Sequence, residues 1–147
     1  MRVTINPVQE DSHMSTVNEI AAISRIKELI TLQTQLSSAF PENEYNVFVF
    51  GSYPTVRFSQ GESDVDIAVY CDSISLYKKI SFEIERFFEE KNIPVDLFYI
   101  DLNLPAPFYV APLTAQIQFT DYYPDKLKSF AGKCSDMLYQ VKRSMAV

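Results

Sequence analysis

The chain has 147 residues, of which 13 are basic and 19 acidic, giving a net charge of −6, and 47% of its residues are hydrophobic. These values are typical of one globular domain, large enough for a single core but not for two. Proteins that bind long nucleic acids are usually basic, because phosphate neutralisation supplies much of their affinity. The acidic balance therefore argues against a long nucleic acid as the main partner, but not against a small nucleotide.

The cysteine and histidine content limits the cellular compartment and the kinds of catalytic or metal site that we expect. Cys71 and Cys134 are far apart in apolar patterns, which is typical of reduced core thiols and of a cytoplasmic protein. We expect no membrane span and no signal peptide, because neither pattern is present. His13 is the single histidine and lies in a polar leader, so histidine catalysis and the common zinc sites are not expected.

The first predicted elements are a leader and a helix. Residues 1–14 are predicted to be a flexible leader, and residues 15–147 a single domain. A capping-box pattern at Thr16 and Glu19 predicts the start of a helix that continues to about Ser38. Isoleucines recur along it at helical spacing: Ile20, Ile23, Ile26 and Ile30.

Strands and one helix are predicted for the middle of the chain. Residues 47–50 and 65–71 have the length and composition of strands. An amphipathic helix follows over about residues 74–91, and residues 93–100 form a third strand.

The last third is predicted to hold one more strand and a long helix. The prolines in residues 104–113 favour a constrained connection or a short broken helix, and residues 117–120 form a fourth, edge strand. A patterned helix runs from about Asp125 to Met145. Together the elements predict an α/β (α+β) domain with a small mixed sheet of about four strands and helices mainly on one face.

The connection between the first two strands carries the most informative pattern. Two of the three glycines, Gly51 and Gly61, lie in it, and it ends at Asp64 and Asp66. A glycine turn can present backbone amides to an anion. Because side chains alternate along a strand, Asp64 and Asp66 point to the same side, about 6.5–7 Å apart along the strand.

Asp96 completes the candidate site. Strands 65–71 and 93–100 are joined by a helix, so they should be parallel neighbours, with Asp66 and Asp96 at the same edge. The connection before Asp64 is too short for a crossover helix, so the first strand should run antiparallel and bring Gly51 to that edge. Crowded carboxylates repel each other, so the cluster predicts a cation, and Mg²⁺ prefers such ligands. The dinucleotide-binding and P-loop glycine signatures are missing.

These motifs resemble those of the nucleotidyltransferase superfamily typified by DNA polymerase β. They are Phe50-Gly51-Ser52, Ser63-Asp64-Val65-Asp66-Ile67 and Val95-Asp96, and in size the chain is similar to the minimal nucleotidyltransferases of prokaryotes. The resemblance covers roughly residues 47–100. It implies that Asp64, Asp66 and Asp96 are catalytic and hold two Mg²⁺ or Mn²⁺ ions. The candidate nucleotide-binding residues are Gly51, Ser52, Tyr53, Arg57 and Ser63.

The implied activity is metal-dependent transfer of a nucleoside monophosphate, with AMP favoured, from a nucleoside triphosphate to a hydroxyl of a protein or small molecule. Minimal members often carry basic residues directly after the Gly-Ser, whereas Tyr53 and Pro54 occupy those positions here. The alternative is therefore a catalytically degenerate relative that acts as an antitoxin or binding module through a helical partner protein. Because a short chain leaves little surface for an acceptor, we expect a protein partner, as in the toxin–antitoxin pairs of this family, or a homodimer.

Overall fold

The computed structural model describes residues 3–5 and 16–146, which form a five-stranded mixed sheet with helices on both faces. The strands are β1 (Val3–Ile5), β2 (Tyr45–Phe50), β3 (Val65–Cys71), β4 (Val95–Tyr99) and β5 (Ile117–Phe119). The helices are α1 (Thr16–Ala39), α2 (Ile74–Glu89), α3 (Val110–Leu113) and α4 (Pro124–Met145), and a 3₁₀ turn at Pro107–Tyr109 precedes α3.

The order of strands in the sheet is β1-β5-β2-β3-β4. Strand β3 is antiparallel to β2 and parallel to β4, which confirms both predicted orientations. Strand β5 lies between β1 and β2, so its prediction as an edge strand was wrong. The reason is that residues 3–5, predicted to be in the leader, add a strand outside it. The rest of that leader, with His13, lies outside the described residues.

The helices cover both faces of the sheet, although we expected them mainly on one, and the α+β class is confirmed. Helices α1 and α2 pack against valines and isoleucines of β2 and β3. Helix α4 packs on the opposite face, against Phe48, Ala68 and Tyr70. Successive residues of a strand point to opposite faces, so a strand with a nearly continuous apolar run has apolar side chains on both faces. Both faces of β2 and β3 are therefore covered by helices.

Helix α1 buries mainly its leucines and not the isoleucines that recur at helical spacing. Its buried side chains are Ala22, Leu29, Leu32, Gln33 and Leu36. By contrast, Ile20, Ile23 and Ile30 are 61%, 54% and 44% exposed, and only Ile26 packs against the core. The leucines repeat at the same helical spacing as the isoleucines, and spacing alone cannot decide between two apolar faces.

Helix α2 returns the chain to the sheet edge where β3 begins. The Ser73 side chain caps it by accepting a hydrogen bond from the Leu76 amide at 3.1 Å, and its apolar face is buried as predicted. Asn92, in the left-handed region at φ 57°, turns the chain into β4. This crossover sets β4 beside β3 and thereby fixes the position of Asp96.

Helix α4 is buried only in its first half. Leu127, Phe130 and Cys134 are buried, whereas Met137 and Val141, which continue the same helical spacing, are 40% and 44% exposed. Cys71 and Cys134 are both free and buried, as expected of core thiols. Among the helices of the described residues, none has the length and apolar character of a membrane span.

Candidate active site

Three acidic residues lie at the edge of the sheet where β2 ends and β3 and β4 begin. The register pairs Phe50 with Asp66, and Asp66 with Asp96. Side chains paired directly across strands share a face, so the Asp66 and Asp96 carboxylates are neighbours. Asp64 immediately precedes β3 and lies near enough for its charge to act on Asp66. The structure thus brings together the three acidic residues, which we call the carboxylate cluster.

Asp66 is the partly buried member of this cluster. Burial raises the pKa of Asp66 above its ordinary value, and the charges of Asp96 and Asp64 and a side-chain hydrogen bond with Asp96 raise it further. Asp64 and Asp96 are exposed to solvent. A carboxylate with a raised pKa, open to solvent on one side, favours the arrival of a proton or a cation.

The carboxylate cluster supplies the donor chemistry of a divalent cation site. Carboxylate oxygens are the ligands preferred by Mg²⁺ and Mn²⁺. Within residues 3–5 and 16–146, however, no three acidic, cysteine or histidine side chains form a ready-made metal site. Since Asp66 is the more buried member, Asp64 and Asp96 are the side chains that would have to reorient around an ion.

Gly51 packs directly against the carboxylate cluster. Its φ is +74°, a conformation that side chains disfavour. A Cβ at this position would collide with Oδ2 of Asp66 and lie 3.1 Å from its Cγ. Backbone strain and close approach therefore each require glycine at residue 51.

The loop that follows Gly51 is held by its own hydrogen bonds. The Ser52 carbonyl accepts from the Thr55 amide at 2.9 Å and from its hydroxyl at 2.8 Å. Ser63 Oγ accepts from the Ser59 amide at 3.2 Å, so Ser63 braces the far end of the loop. Arg57 is exposed, and its amide donates to Thr55 Oγ1 at 3.1 Å. Contacts of Ser52, Arg57 and Ser63 with a nucleotide stay predictions.

Tyr53 is a core residue rather than a surface residue. Only 1% of it is exposed, and its ring makes edge contacts with Phe58 and Phe88 at centroid distances of 5.1 and 5.4 Å. Burial raises the pKa of Tyr53 to about 12. With its ring inside the core, Tyr53 offers no face to a nucleotide, in contrast to its place among the predicted binding residues, and instead anchors the loop.

Arg25 of α1 is a positioning residue that the sequence did not reveal. Its Nε donates to the Tyr53 carbonyl and its Nη2 to the Thr55 carbonyl, each at 2.7 Å. The guanidinium carbon lies 4.9 Å from the Phe58 ring centroid. Burial lowers the pKa of Arg25, although an arginine stays charged at neutral pH. Its partners are 28 and 30 residues away in sequence, so no local pattern indicates these contacts.

Substitution of Arg25 with methionine should loosen the loop, because both charge-assisted hydrogen bonds and the contact with Phe58 are lost. We expect the free energy of unfolding to fall by about 2–3 kcal/mol, measured by urea denaturation. Arg25→Lys is the matched control, since lysine keeps the charge but lacks the planar guanidinium that donates to two carbonyls. Its free energy of unfolding should lie between those of Arg25→Met and the wild type. Equal midpoints for Arg25→Met and the wild type would contradict this role.

The model of the nucleotidyltransferase domain family matches residues 29–134, which is more than half of the chain and includes Gly51 and the whole carboxylate cluster. The chain belongs to this nucleotidyltransferase domain family. The predicted resemblance is thereby confirmed, and nucleotidyl transfer is the reaction class of the family. No curated protein matches the chain.

Several solved structures contain chains similar to this nucleotidyltransferase domain. One, from a crystal structure of a toxin–antitoxin with AMP-PNP, is 22% identical, with 80% of this chain and 90% of that chain covered and a TM-score of 0.48. A chain of the toxin–antitoxin MntA–HepT is 20% identical, with coverages of 88% and 92% and a TM-score of 0.42. A chain from the tri-AMPylated Shewanella oneidensis HEPN toxin in complex with MNT antitoxin is 20% identical, with coverages of 86% and 91% and a TM-score of 0.41.

Proposed function

We propose that this protein is a metal-dependent nucleotidyltransferase that moves a nucleoside monophosphate, by preference AMP, from a nucleoside triphosphate to a hydroxyl of a protein or small molecule. The observation that carries the proposal is the cross-strand pair of Asp66 and Asp96 beside Asp64, packed against the Gly51 turn. Membership of the nucleotidyltransferase domain family supports the reaction class.

In this proposal the carboxylate cluster would hold two Mg²⁺ or Mn²⁺ ions. Such ions, when bound, stabilise the charge on the triphosphate and on the departing pyrophosphate. Asp96 would accept the proton of the acceptor hydroxyl, whose oxygen forms a bond to the α-phosphorus as the bond to pyrophosphate breaks. The turn at Gly51 and Ser52 would bind phosphate oxygens through backbone amides and the serine hydroxyl, and Arg57 would add the one cation of the loop.

The second candidate function is a non-catalytic antitoxin or binding module of the same fold. Two observations favour it: Tyr53 and Pro54, where basic residues are common in minimal members, are both buried, and Arg57 is the only basic residue between Gly51 and Asp66. A weak hold on phosphate would allow nucleotide binding without transfer.

A protein partner, or a second copy of the chain, belongs to both candidate functions. In support of it, α1 exposes Val17, Ile20, Ile23 and Ile30, between 44% and 73% of each residue. Large apolar side chains grouped on one helix face are typical of interaction surfaces. The partner is proposed to be helical, since a helix can pack its own apolar stripe along such a face.

The two candidate functions are separated by incubating the protein with ATP, GTP, CTP and UTP labelled at the α-phosphate, with Mg²⁺ or Mn²⁺. Glycerol serves as a model hydroxyl acceptor beside the protein itself. We expect label transfer that Asp64→Asn and Asp96→Asn abolish and that Asp136→Asn, an exposed position on α4, leaves unchanged. Metal-dependent triphosphate binding without transfer supports the binding module. Absence of such binding at millimolar triphosphate contradicts the proposed nucleotidyltransferase activity.

A further inference from the structure

A group of aromatic side chains borders the carboxylate cluster on the same face of the sheet. Next to the row formed by Phe50, Asp66 and Asp96, the register pairs Phe48 with Ala68 and Ala68 with Phe98. Residues two apart on a strand share a face, so Phe98 lies one step along β4 from Asp96. On this face, the row that contains Phe48, Ala68 and Phe98 is therefore the neighbour of the row that contains Asp66 and Asp96.

Three phenylalanines close over the small side chain of Ala68. The Phe50 and Phe98 ring centroids are 5.9 Å apart across β3, and Ala68 is fully buried below them. Phe108, in the 3₁₀ turn, lies 4.8 Å from Phe98 and 6.4 Å from Phe50. We call Phe50, Phe98 and Phe108 the aromatic platform.

Phe108 is the outer ring of the aromatic platform, and 47% of it is exposed. The turn that carries it is held firmly by its neighbour, Tyr109. The Tyr109 hydroxyl donates to the Tyr99 carbonyl at 3.2 Å, and its ring lies 5.3 Å from that of Phe130 in α4. Phe108 is thus a half-exposed ring held against Phe50, which pairs with Asp66, and against Phe98, two residues after Asp96 on the same face.

We propose that Phe108 positions the nucleobase of the triphosphate by stacking on it, with Phe98 and Phe50 supporting the ring from below. The inference rests on the proposed function and adds to it a residue that sets nucleotide affinity. Phosphates bound at Gly51 and the carboxylate cluster leave the base to extend along the sheet, and the aromatic platform is the apolar surface adjoining that cluster on this face. Ligand sites commonly combine such an apolar wall with a few charged groups.

The sparse charge of the loop favours a base as the occupant. Arg57 is its only cation, so phosphate contacts alone give this chain little grip on a triphosphate. Stacking on an aromatic ring is a source of affinity that needs no positive charge and tolerates any base. Stacking of the base on Phe108 would therefore add nucleotide affinity that the phosphate contacts of the loop do not supply.

The test compares a nucleotide with a ligand that lacks the base. Binding of ATP and of inorganic tripolyphosphate, each with Mg²⁺, is measured by calorimetry for the wild type and for Phe108→Ala. We expect Phe108→Ala to weaken ATP binding about tenfold and to leave tripolyphosphate binding unchanged. Phe82→Ala is the matched control, because Phe82 is 62% exposed but lies on α2; it should change neither.

A second readout does not depend on affinity. The chain has no tryptophan and nine tyrosines, so Phe108→Trp introduces a single tryptophan, whose emission can be excited separately from that of the tyrosines. ATP should quench its emission and tripolyphosphate should not, whereas the emission of Phe82→Trp should respond to neither.

Three outcomes overturn the inference while leaving the proposed function standing. They are equal binding of ATP by Phe108→Ala and the wild type, equal losses for ATP and tripolyphosphate, and unquenched emission of Phe108→Trp at saturating ATP. The first is the result expected if Phe108 serves a protein partner instead. If the wild type binds neither ligand, the proposed function itself fails, and the inference fails with it.

Discussion

Substitution of Gly51 with alanine should lower kcat/KM for nucleotidyl transfer by about a hundredfold or more, because misplacing a reacting group by about 1 Å costs this much. The new Cβ would collide with Oδ2 of Asp66, so the carboxylate has to leave its place beside Asp96. The φ of +74° adds about 1–2 kcal/mol of backbone strain to the folded state. Activity and stability should therefore both fall, activity by far the more.

Gly61→Ala separates the two causes. Gly61 also has a positive φ, +87°, but a Cβ there would meet no atom within 4 Å. We expect a similar loss of stability in urea denaturation, with kcat/KM for nucleotidyl transfer nearly retained. If kcat/KM falls as much in Gly61→Ala as in Gly51→Ala, strain in the loop and not the collision with Asp66 explains the effect.

Asp66→Asn should have opposite effects on stability and on activity. A neutral amide holds Mg²⁺ or Mn²⁺ more weakly than a carboxylate does, so we expect nucleotidyl transfer to fall about a hundredfold or more, since charge stabilisation by a metal is worth several kcal/mol. In the absence of divalent ions and at neutral pH, however, the variant should be more stable than the wild type. The amide has nearly the same shape, can donate a hydrogen bond to Asp96, and removes the repulsion that raises the pKa of Asp66.

The pH dependence follows from the direction of that shift. Because the pKa of Asp66 in the folded protein is raised above its ordinary value of 3.8, the folded state retains this proton more strongly than the unfolded state does. The contribution of Asp66 to stability is therefore favourable below the ordinary pKa and is lost as the pH rises through the raised one. The urea midpoint of Asp66→Asn should therefore lack the part of the fall with rising pH that Asp66 causes in the wild type, as measured from about pH 4 to pH 8.

Divalent ions provide the matching control. Millimolar Mg²⁺ at neutral pH should raise the urea midpoint of the wild type, because an ion that binds only the folded state stabilises it, and should leave Asp66→Asn nearly unchanged. Lower stability of the metal-free variant than of the wild type at neutral pH would contradict the proposed repulsion among the three carboxylates.

The parts of the site that obey local rules could be predicted from the sequence. A helix between two strands makes them parallel, and a short connection makes its strands antiparallel, which together placed Asp66, Asp96 and Gly51 at one edge. Features that depend on tertiary packing could not be predicted. Helix α1 carries two apolar series with one spacing, and the strand β1 partner is far away in sequence.

Single side chains show the same limit. Tyr53 lies two residues after Gly51, in a loop without periodic spacing, so nothing local distinguishes a ring that enters the core from one that faces a ligand. Arg25 binds carbonyls far along the chain, and Phe108 lies in a proline-rich connection whose path is set by its packing on the sheet. Their roles depend on distances in space that no spacing in sequence records.

The position of β4 in the sheet gives the two paired acids different mobility. Strand β3 has a strand on each side and is buried along nearly its whole length, whereas β4 ends the sheet order and is only partly buried. Edge elements of low burial open locally at a smaller free-energy cost, and their amides exchange hydrogen sooner. We therefore expect amide hydrogens to exchange slowly in β3, which carries Asp66, and faster in β4, which carries Asp96. Around a ligand we therefore expect the exposed Asp64 and Asp96 to adjust more than Asp66 does.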